Sequence, residues 1–162
     1  MNRSVEIERR FLVHDTCSFW SSDKVRIVQG YILRRSGRKF RVRIIGDQAM
    51  VTCKRWVAPG VRQERNWPIS LEQALDLMRH RCNGGFIEKV RHSVLFADRF
   101  WDVDVFAGSY EGLIIAEVEL SHLNETVLLP PWVEAEITGN PRFGNSALAQ
   151  SAVYQLQMEK VA

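Results

Sequence analysis

Short segments in which polar and apolar residues alternate make up most of the chain, and a period of two is typical of β-strands. Turn residues separate eight such segments. They are Val5–Val13, Val25–Arg34, Lys39–Ile45, Met50–Trp56, Val61–Trp67, Gly85–His92, Arg99–Phe106 and Leu113–Leu120. Eight antiparallel strands are enough to close a barrel. The pattern predicts an α+β fold that is mainly β, built as a closed eight-stranded antiparallel β-barrel.

A few segments have helical rather than strand signals. Ser70 and Gln73 form a capping box ahead of an apolar run. A second helix is predicted over Ser146–Gln157, with Asn145 as its N-cap. A shorter helix is predicted near Leu123–Leu128. We expect these helices to pack outside the barrel and across one of its ends, with the five tryptophans between barrel and helices.

The length of 162 residues, without repeats or a linker, predicts one domain over residues 1–162. Three widely spaced cysteines fit neither a disulfide framework nor a zinc site, so we expect reduced thiols. Glu6 and Glu8 lie where a signal peptide needs apolar residues, and no apolar run approaches a membrane span. We therefore expect a cytoplasmic protein that has no membrane partner.

The net charge of +3, from 22 basic and 19 acidic residues, says little about the binding partners of the protein. The positions of the charges are more informative than their number. Lys39, Arg41 and Arg43 share one face of their strand. Glu117 and Glu119 share one face of a segment that is otherwise apolar enough to be well buried. These charged faces are predicted to point into the protein.

If the apolar faces point outward under the helices, seven acidic and seven basic side chains share the barrel interior. They are Glu6, Glu8, Arg10, Arg41, Arg43, Lys54, Arg62, Glu64, Lys89, Arg91, Asp102, Asp104, Glu117 and Glu119. An isolated buried charge costs several kcal/mol, so such groups need partners. A water-filled tunnel that holds a charged ligand meets that need.

The residue types narrow the ligand. Arginine and lysine donate charge-assisted hydrogen bonds to phosphate oxygens, and clustered carboxylates bind hard cations. The four histidines are dispersed, which disfavours zinc. The sequence therefore predicts a metal-chelated polyphosphate as ligand, with Mg²⁺ or Mn²⁺ as the metal.

A series of short motifs runs through the chain in a fixed order and covers nearly all of it. They are Glu6-x-Glu8-x-Arg10, Gln29-Gly30-Tyr31, Arg41-x-Arg43, Lys54, Arg62-x-Glu64, Glu88-Lys89-x-Arg91, Asp102-x-Asp104-Val105-Phe106-Ala107-Gly108, Glu117-x-Glu119, Pro130-Pro131-Trp132 and Glu136-Ile137-Thr138. In this order they resemble the CYTH, or triphosphate tunnel metalloenzyme, family. The small bacterial branch is the most similar.

The resemblance implies an eight-stranded tunnel and assigns roles to matching positions. It implies metal ligands among Glu6, Glu8, Glu117, Glu119, Asp104 and Glu64. It implies triphosphate ligands at Arg41, Arg43, Lys54, Arg62, Lys89 and Arg91. Lys54 and Tyr31 match a pair proposed to assist hydrolysis in relatives, and Arg10 occupies the position of a signature lysine. A lysine crowded by other cations is suited to act as a base toward water.

This chain departs from the family pattern at several positions. Arg10 keeps the positive charge of the signature lysine but cannot transfer a proton, because guanidinium does not deprotonate in proteins. Asn66 stands where relatives commonly have a carboxylate. Gly144 and Ser146 stand where a similar segment has lysines. Weaker neutralisation of substrate charge, or a changed substrate, is the expected consequence.

The activity implied by the resemblance is metal-dependent hydrolysis of inorganic triphosphate to pyrophosphate and phosphate. Thiamine triphosphate hydrolysis and ATP cyclisation use the same tunnel in relatives and stay open as alternatives, as does a non-catalytic receptor for polyphosphate or a nucleotide. A nucleic-acid partner is disfavoured because the interleaved acids would repel a phosphate backbone. A homodimer is compatible with the sequence but not specified by it.

Overall fold

The computed structural model describes residues 3–14, 23–33, 39–58, 61–82 and 85–151, apart from the side chains of residues 3–5, 33 and 62. Nine strands and two helices form the described chain. The strands are β1 Arg3–Val13, β2 Lys24–Leu33, β3 Lys39–Ile45, β4 Gln48–Ala58, β5 Val61–Ile69, β6 Ile87–Phe96, β7 Arg99–Phe106, β8 Ile114–Glu119 and β9 Val133–Glu136. The helices are α1 Leu71–Arg81 and α2, residues 145–151.

The strands form one sheet in the order β5-β4-β3-β2-β6-β7-β8-β1-β9, and the pairings are antiparallel. The first half of β1 also pairs with β5, while its second half pairs with β8. The prediction of a mainly β, antiparallel fold is confirmed. Strand β9 was not predicted, because its four residues, which follow a proline pair, are too few to show a clear alternation.

Helix α1 begins as its capping box predicts. The Ser70 hydroxyl accepts from the Gln73 backbone N–H at 3.1 Å, and the Gln73 side chain accepts from the Ser70 N–H at 3.0 Å. Ala74 and Met78 are buried against Val42 and Ala49 on the outer face of the sheet. Neither helix has the length and apolar character needed to cross a membrane, judged on the described residues.

Helix α2 starts one residue earlier than predicted. Gly144 has extended backbone angles, and its carbonyl accepts from the Leu148 N–H at 3.0 Å, so Gly144 and not Asn145 precedes the helix. Residues 152–157 of the predicted helix lie outside the described residues. The short helix predicted near Leu123–Leu128 is wrong, since the chain only turns there and the Glu125 carboxylate accepts from the Ser121 N–H.

Apolar side chains form hydrophobic clusters on both faces of the sheet. On the outer face, Trp101 and Trp132 are buried and pack edge to face with ring centroids 5.6 Å apart. A second cluster lies on the inner face, where Phe106 and Ile115 pack against Leu148 of α2. The packing prediction is wrong for Trp56, whose side chain is 68% exposed, because α1 covers β4 near Ala49, far along the strand from Trp56. Trp20 lies outside the described residues.

Gly30 lies where β2 passes under the end of α1. A Cβ atom at Gly30 would approach Cys82 Sγ to 2.8 Å and the Phe86 ring to 3.1 Å. Overpacking of this kind costs about 1 to 3 kcal/mol. We expect Gly30→Ala to lower the free energy of unfolding by this amount in chemical denaturation.

The double variant Gly30→Ala/Cys82→Ala provides the control, with Cys82→Ala alone as reference. Because the sulfur is the nearest obstacle, its removal should restore part of the stability lost in Gly30→Ala. Equal stability of Gly30→Ala and the unsubstituted protein would show that the contact is not tight.

Candidate active site

Charged side chains line the inner face of the sheet, in agreement with the alternation. Arg10, Arg41, Glu64, Lys89 and Asp104 are each less than a tenth exposed. Glu6, Glu8, Arg43, Lys54, Arg91, Asp102 and Glu117 are half-buried, and Glu119 is exposed at one edge. The side chain of Arg62 lies outside the description, although its backbone pairs with Glu6. Burial of so many charges requires dense pairing among them.

Arg91 connects the carboxylates of β7 and β8. Its guanidinium donates to Asp104 at 2.7 and 2.8 Å, to Asp102 at 2.6 Å and to Glu117 at 2.9 Å. Lys89 also donates to Asp104. Burial lowers the pKa of the Lys89 ammonium to about 8, although Asp104 opposes the shift. These residues form an ion-pair network along three adjacent strands.

Arg10 ties this network to the segment before α2. Its Nε donates to Glu117 at 2.8 Å and its Nη1 donates to the Phe143 carbonyl at 3.2 Å. Burial alone would raise the pKa of Glu117, but Arg10, Arg91 and Lys89 outweigh it and hold that pKa well below its usual range. The buried Nη2 of Arg10 has no hydrogen-bond partner in the described structure.

Lys54 sits between two carboxylates. Its Nζ donates to Glu6 at 3.2 Å and contacts Glu64, the residue opposite it on β5. Burial and the nearby Arg41 lower the pKa of Lys54 to about 8, while Glu6 and other acids oppose the shift. A lysine held in this way exchanges its proton near neutral pH more readily than an exposed one.

Arg41 and Arg43 donate hydrogen bonds to neutral groups, and Arg41 also forms a longer ion pair with Glu64, with Nη2 and Oε2 3.9 Å apart. Arg41 donates to the Thr52 hydroxyl at 3.1 Å, and Arg43 donates to Gln29 Oε1 at 3.0 Å. Burial lowers the pKa of both guanidinium groups, that of Arg43 to about 10 with Arg41 and Arg91 contributing. The buried Arg41 Nε lacks a hydrogen-bond partner in the described structure. These two arginines therefore keep positive charge available on the inner face.

Two supporting residues, Gln29 and Thr52, were assigned no role from sequence, and both are fully buried. Gln29 donates to the Tyr31 hydroxyl at 3.0 Å, and Thr52 donates to Asn66 Oδ1 at 2.7 Å. Both share the inner face with the charged residues, so the period-two pattern was the available signal. Burial raises the pKa of the Tyr31 phenol, although Arg41 opposes the shift.

The remaining carboxylates gather at one edge of this face. Glu119 lies directly opposite Glu8, and no ion pair to the Glu119 side chain occurs among the described residues. Burial and the nearby Glu6, Asp102 and Glu8 raise the pKa of Glu119. Within the described ranges, no three His, Cys, Asp or Glu side chains are grouped closely enough to hold a metal ion.

The six carboxylates predicted from the sequence as metal ligands thus fall into two sets. Glu64, Asp104 and Glu117 contact basic side chains directly. Glu6, Glu8 and Glu119 lie near one another, and Glu6 is also contacted by Lys54. The second set brings three carboxylates together, and carboxylate oxygens are the ligands that hard cations bind.

Comparison with known proteins identifies two relatives that have the same named activity. An inorganic triphosphatase of Acetivibrio thermocellus is 34% identical over 146 residues, which cover 90% of this chain and 94% of that protein. An inorganic triphosphatase of Nitrosomonas europaea is 32% identical over 150 residues, covering 90% of this chain and 97% of that protein. No family model matches the chain.

Solved structures share the fold. A crystal structure of an inorganic triphosphatase has a TM-score of 0.67 and 32% identity, covering 89% of this chain and 93% of that one. A Bacillus halodurans protein considered a candidate adenylate cyclase has a TM-score of 0.60 at 16% identity, covering 75% of this chain and 83% of that one, which shows the fold alone. Given the identity and coverage of its relatives, this chain belongs to the inorganic triphosphatase family.

Proposed function

We propose that this protein hydrolyses inorganic triphosphate to pyrophosphate and phosphate on the charged inner face of its sheet. One observation carries the proposal: Arg41, which is buried, and the half-buried Arg43 lie on one face of β3 and donate their hydrogen bonds to neutral groups, and the carboxylate paired with Arg41, that of Glu64, is 3.9 Å away, which leaves positive charge for an anion. The named activity of the relatives supports the choice of substrate.

The strands are proposed to enclose a tunnel. Pairing of β1 with β5 supports closure, because β5 begins the strand order and β1 stands near its other end. A closed sheet would surround the inner face on all sides and leave no unpaired edge along those strands. Substrate would enter along the axis and displace some of the ion pairs now formed between side chains.

The triphosphate is proposed to bind Arg41, Arg43, Lys54, Arg62, Lys89 and Arg91. Arginine presents a planar fork of donors that matches two phosphate oxygens, and lysine presents a compact charge. The Arg41 Nε and Arg10 Nη2 atoms, which are buried without a hydrogen-bond partner in the described structure, support an anion nearby. An arriving phosphate would satisfy such donors.

A divalent cation, Mg²⁺ or Mn²⁺, is proposed to bind at Glu6, Glu8 and Glu119, and substrate phosphates would complete its coordination. The raised pKa of Glu119, caused by burial and by Glu6, Asp102 and Glu8, supports this assignment, because a cation would relieve the repulsion. Mg²⁺ binds through one or two carboxylates together with waters and phosphates, so a tight protein cage is not required. The metal would neutralise phosphate charge. Glu64, Asp104 and Glu117 would then serve mainly to hold the cationic residues in place.

Lys54 is proposed as the base that takes a proton from the attacking water, and Tyr31, on β2 across Arg41 of β3, is proposed to position that water. The support is geometric: Lys54 is held among Glu6, Glu64 and Arg41, inside the group of proposed substrate ligands. Arg10 bonds Glu117 and the Phe143 carbonyl, which fits a positioning role and not proton transfer.

The test is turnover of tripolyphosphate by the purified protein, followed by ³¹P NMR with Mg²⁺ or Mn²⁺ present. We expect equal amounts of pyrophosphate and phosphate, and loss of turnover when a chelator removes the metal. ATP and thiamine triphosphate are run in parallel, because preferential hydrolysis of either would redirect the substrate assignment. Binding of tripolyphosphate without phosphate release would favour the receptor alternative.

A further inference from the structure

Lys39, the first residue of β3, shares the inner face with Arg41 and Arg43. The register places it directly opposite Lys54 of β4. Like charges directly opposite each other in an antiparallel pair destabilise the sheet. An anion between them would remove that repulsion, so the two lysines mark a place for negative charge.

The two lysines have different partners. Lys54 contacts Glu6 and Glu64. Lys39 has no carboxylate within ion-pair distance among the residues described, and its Nζ donates to Ser146 Oγ at 3.2 Å. An ammonium group carries three donors, so the charge and two N–H groups stay available. The side chain is exposed, and a ligand can reach it.

Ser146 gives this place a second polar group. It lies in the first turn of α2, and its hydroxyl can donate to an anion while it accepts from Lys39. The segment before α2 is also fixed to the inner face, because Arg10 donates to the Phe143 carbonyl. Lys39 and Ser146 therefore form a cationic, hydroxyl-bearing end of the candidate site.

We propose that Lys39 is a further substrate-binding residue, which binds a terminal, unesterified phosphate of the linear triphosphate. This inference rests on the proposed function, since it requires a triphosphate that lies along Arg41 and Lys54. A terminal phosphate carries more negative charge and more free oxygens than an internal one. Such a group suits two facing lysines and a hydroxyl.

The test compares steady-state kinetics on tripolyphosphate. Lys39→Ala should raise KM about tenfold, the effect of one lost charge-assisted bond, and change kcat by less than about twofold. Lys39→Arg should restore most of the affinity. Lys24→Ala removes an exposed lysine from β2 and is the charge-matched control, for which an unchanged KM is expected.

Lys39→Gln separates substrate binding from a structural role, because the glutamine amide can still donate to the Ser146 hydroxyl but carries no charge. If Lys39 only holds α2 in place through that hydroxyl, Lys39→Gln should keep the KM of the unsubstituted protein, and the proposal is overturned. An unchanged KM in Lys39→Ala overturns it as well. We expect Lys39→Gln to raise KM about as much as Lys39→Ala does, since both variants lose the positive charge.

Calorimetric binding of tripolyphosphate distinguishes this inference from the proposed function. If the unsubstituted protein shows no turnover, the proposed hydrolysis fails, but the dissociation constant still reports on Lys39. A tenfold weaker binding by Lys39→Ala supports the inference, and equal binding by the two proteins contradicts it.

Discussion

Glu119→Gln is expected to lower kcat/KM for tripolyphosphate by at least about 100-fold at a metal concentration that saturates the unsubstituted protein. The substitution keeps the shape of the side chain and removes an anionic oxygen ligand from the proposed cation site. Raising the Mg²⁺ or Mn²⁺ concentration should recover part of the activity, because the loss is one of metal affinity. The measurement is a metal titration of the initial rate.

The fold should tolerate this change. The pKa of Glu119 is raised in the folded protein, so at pH values above the pKa of the unfolded chain the ionised carboxylate destabilises the folded state. Replacing it with a neutral amide should therefore leave the melting temperature unchanged or raise it. Glu117→Gln should instead lower stability, because Arg10 and Arg91 lose their shared anion. Glu111→Gln, at an exposed turn, is the matched control. Normal activity of Glu119→Gln at low metal concentration would refute the cation site.

Lys54→Ala is expected to reduce kcat for tripolyphosphate by about 100- to 10,000-fold, the usual contribution of a general base. Glu6 and Glu64 hold the Lys54 side chain inside the group of proposed phosphate ligands. Because a base acts in the chemical step, its removal should lower kcat by a larger factor than it raises KM. Single-turnover measurements with saturating tripolyphosphate would separate the chemical step from binding and product release.

Lys54→Arg distinguishes the base from a simple phosphate ligand. Arginine keeps the positive charge but does not lose a proton, so this variant should bind tripolyphosphate and remain nearly as slow as Lys54→Ala. If Lys54→Arg kept more than about a tenth of the unsubstituted kcat, Lys54 would be a ligand only, and the base would have to be sought elsewhere. Tyr31→Phe, measured alongside, tests whether the phenol that Gln29 contacts contributes to the rate.

The strands and the sorting of charge between their two faces are predictable from the local order of residues. Alternation is a local property, since side chains on a strand point to opposite faces in turn, so β1 to β8 and their charged faces follow from spacing alone. The capping box at Ser70 and Gln73 is equally local and was predicted correctly. The short strand β9 could not be predicted in this way, because the feature that defines it is its pairing with β1, which lies more than 100 residues earlier in the sequence.

Which charged side chains contact one another depends on how the strands pair. Glu117 and Glu119 look equivalent in sequence, yet the register places Glu117 opposite Arg10 and Glu119 opposite Glu8, which makes one an ion-pair partner and leaves the other in a group of acids. Lys39 gained its neighbours Lys54 and Ser146 in the same way. Strand order and register depend on contacts between distant segments, and a period of two fixes a side chain's face but not its neighbour across the sheet.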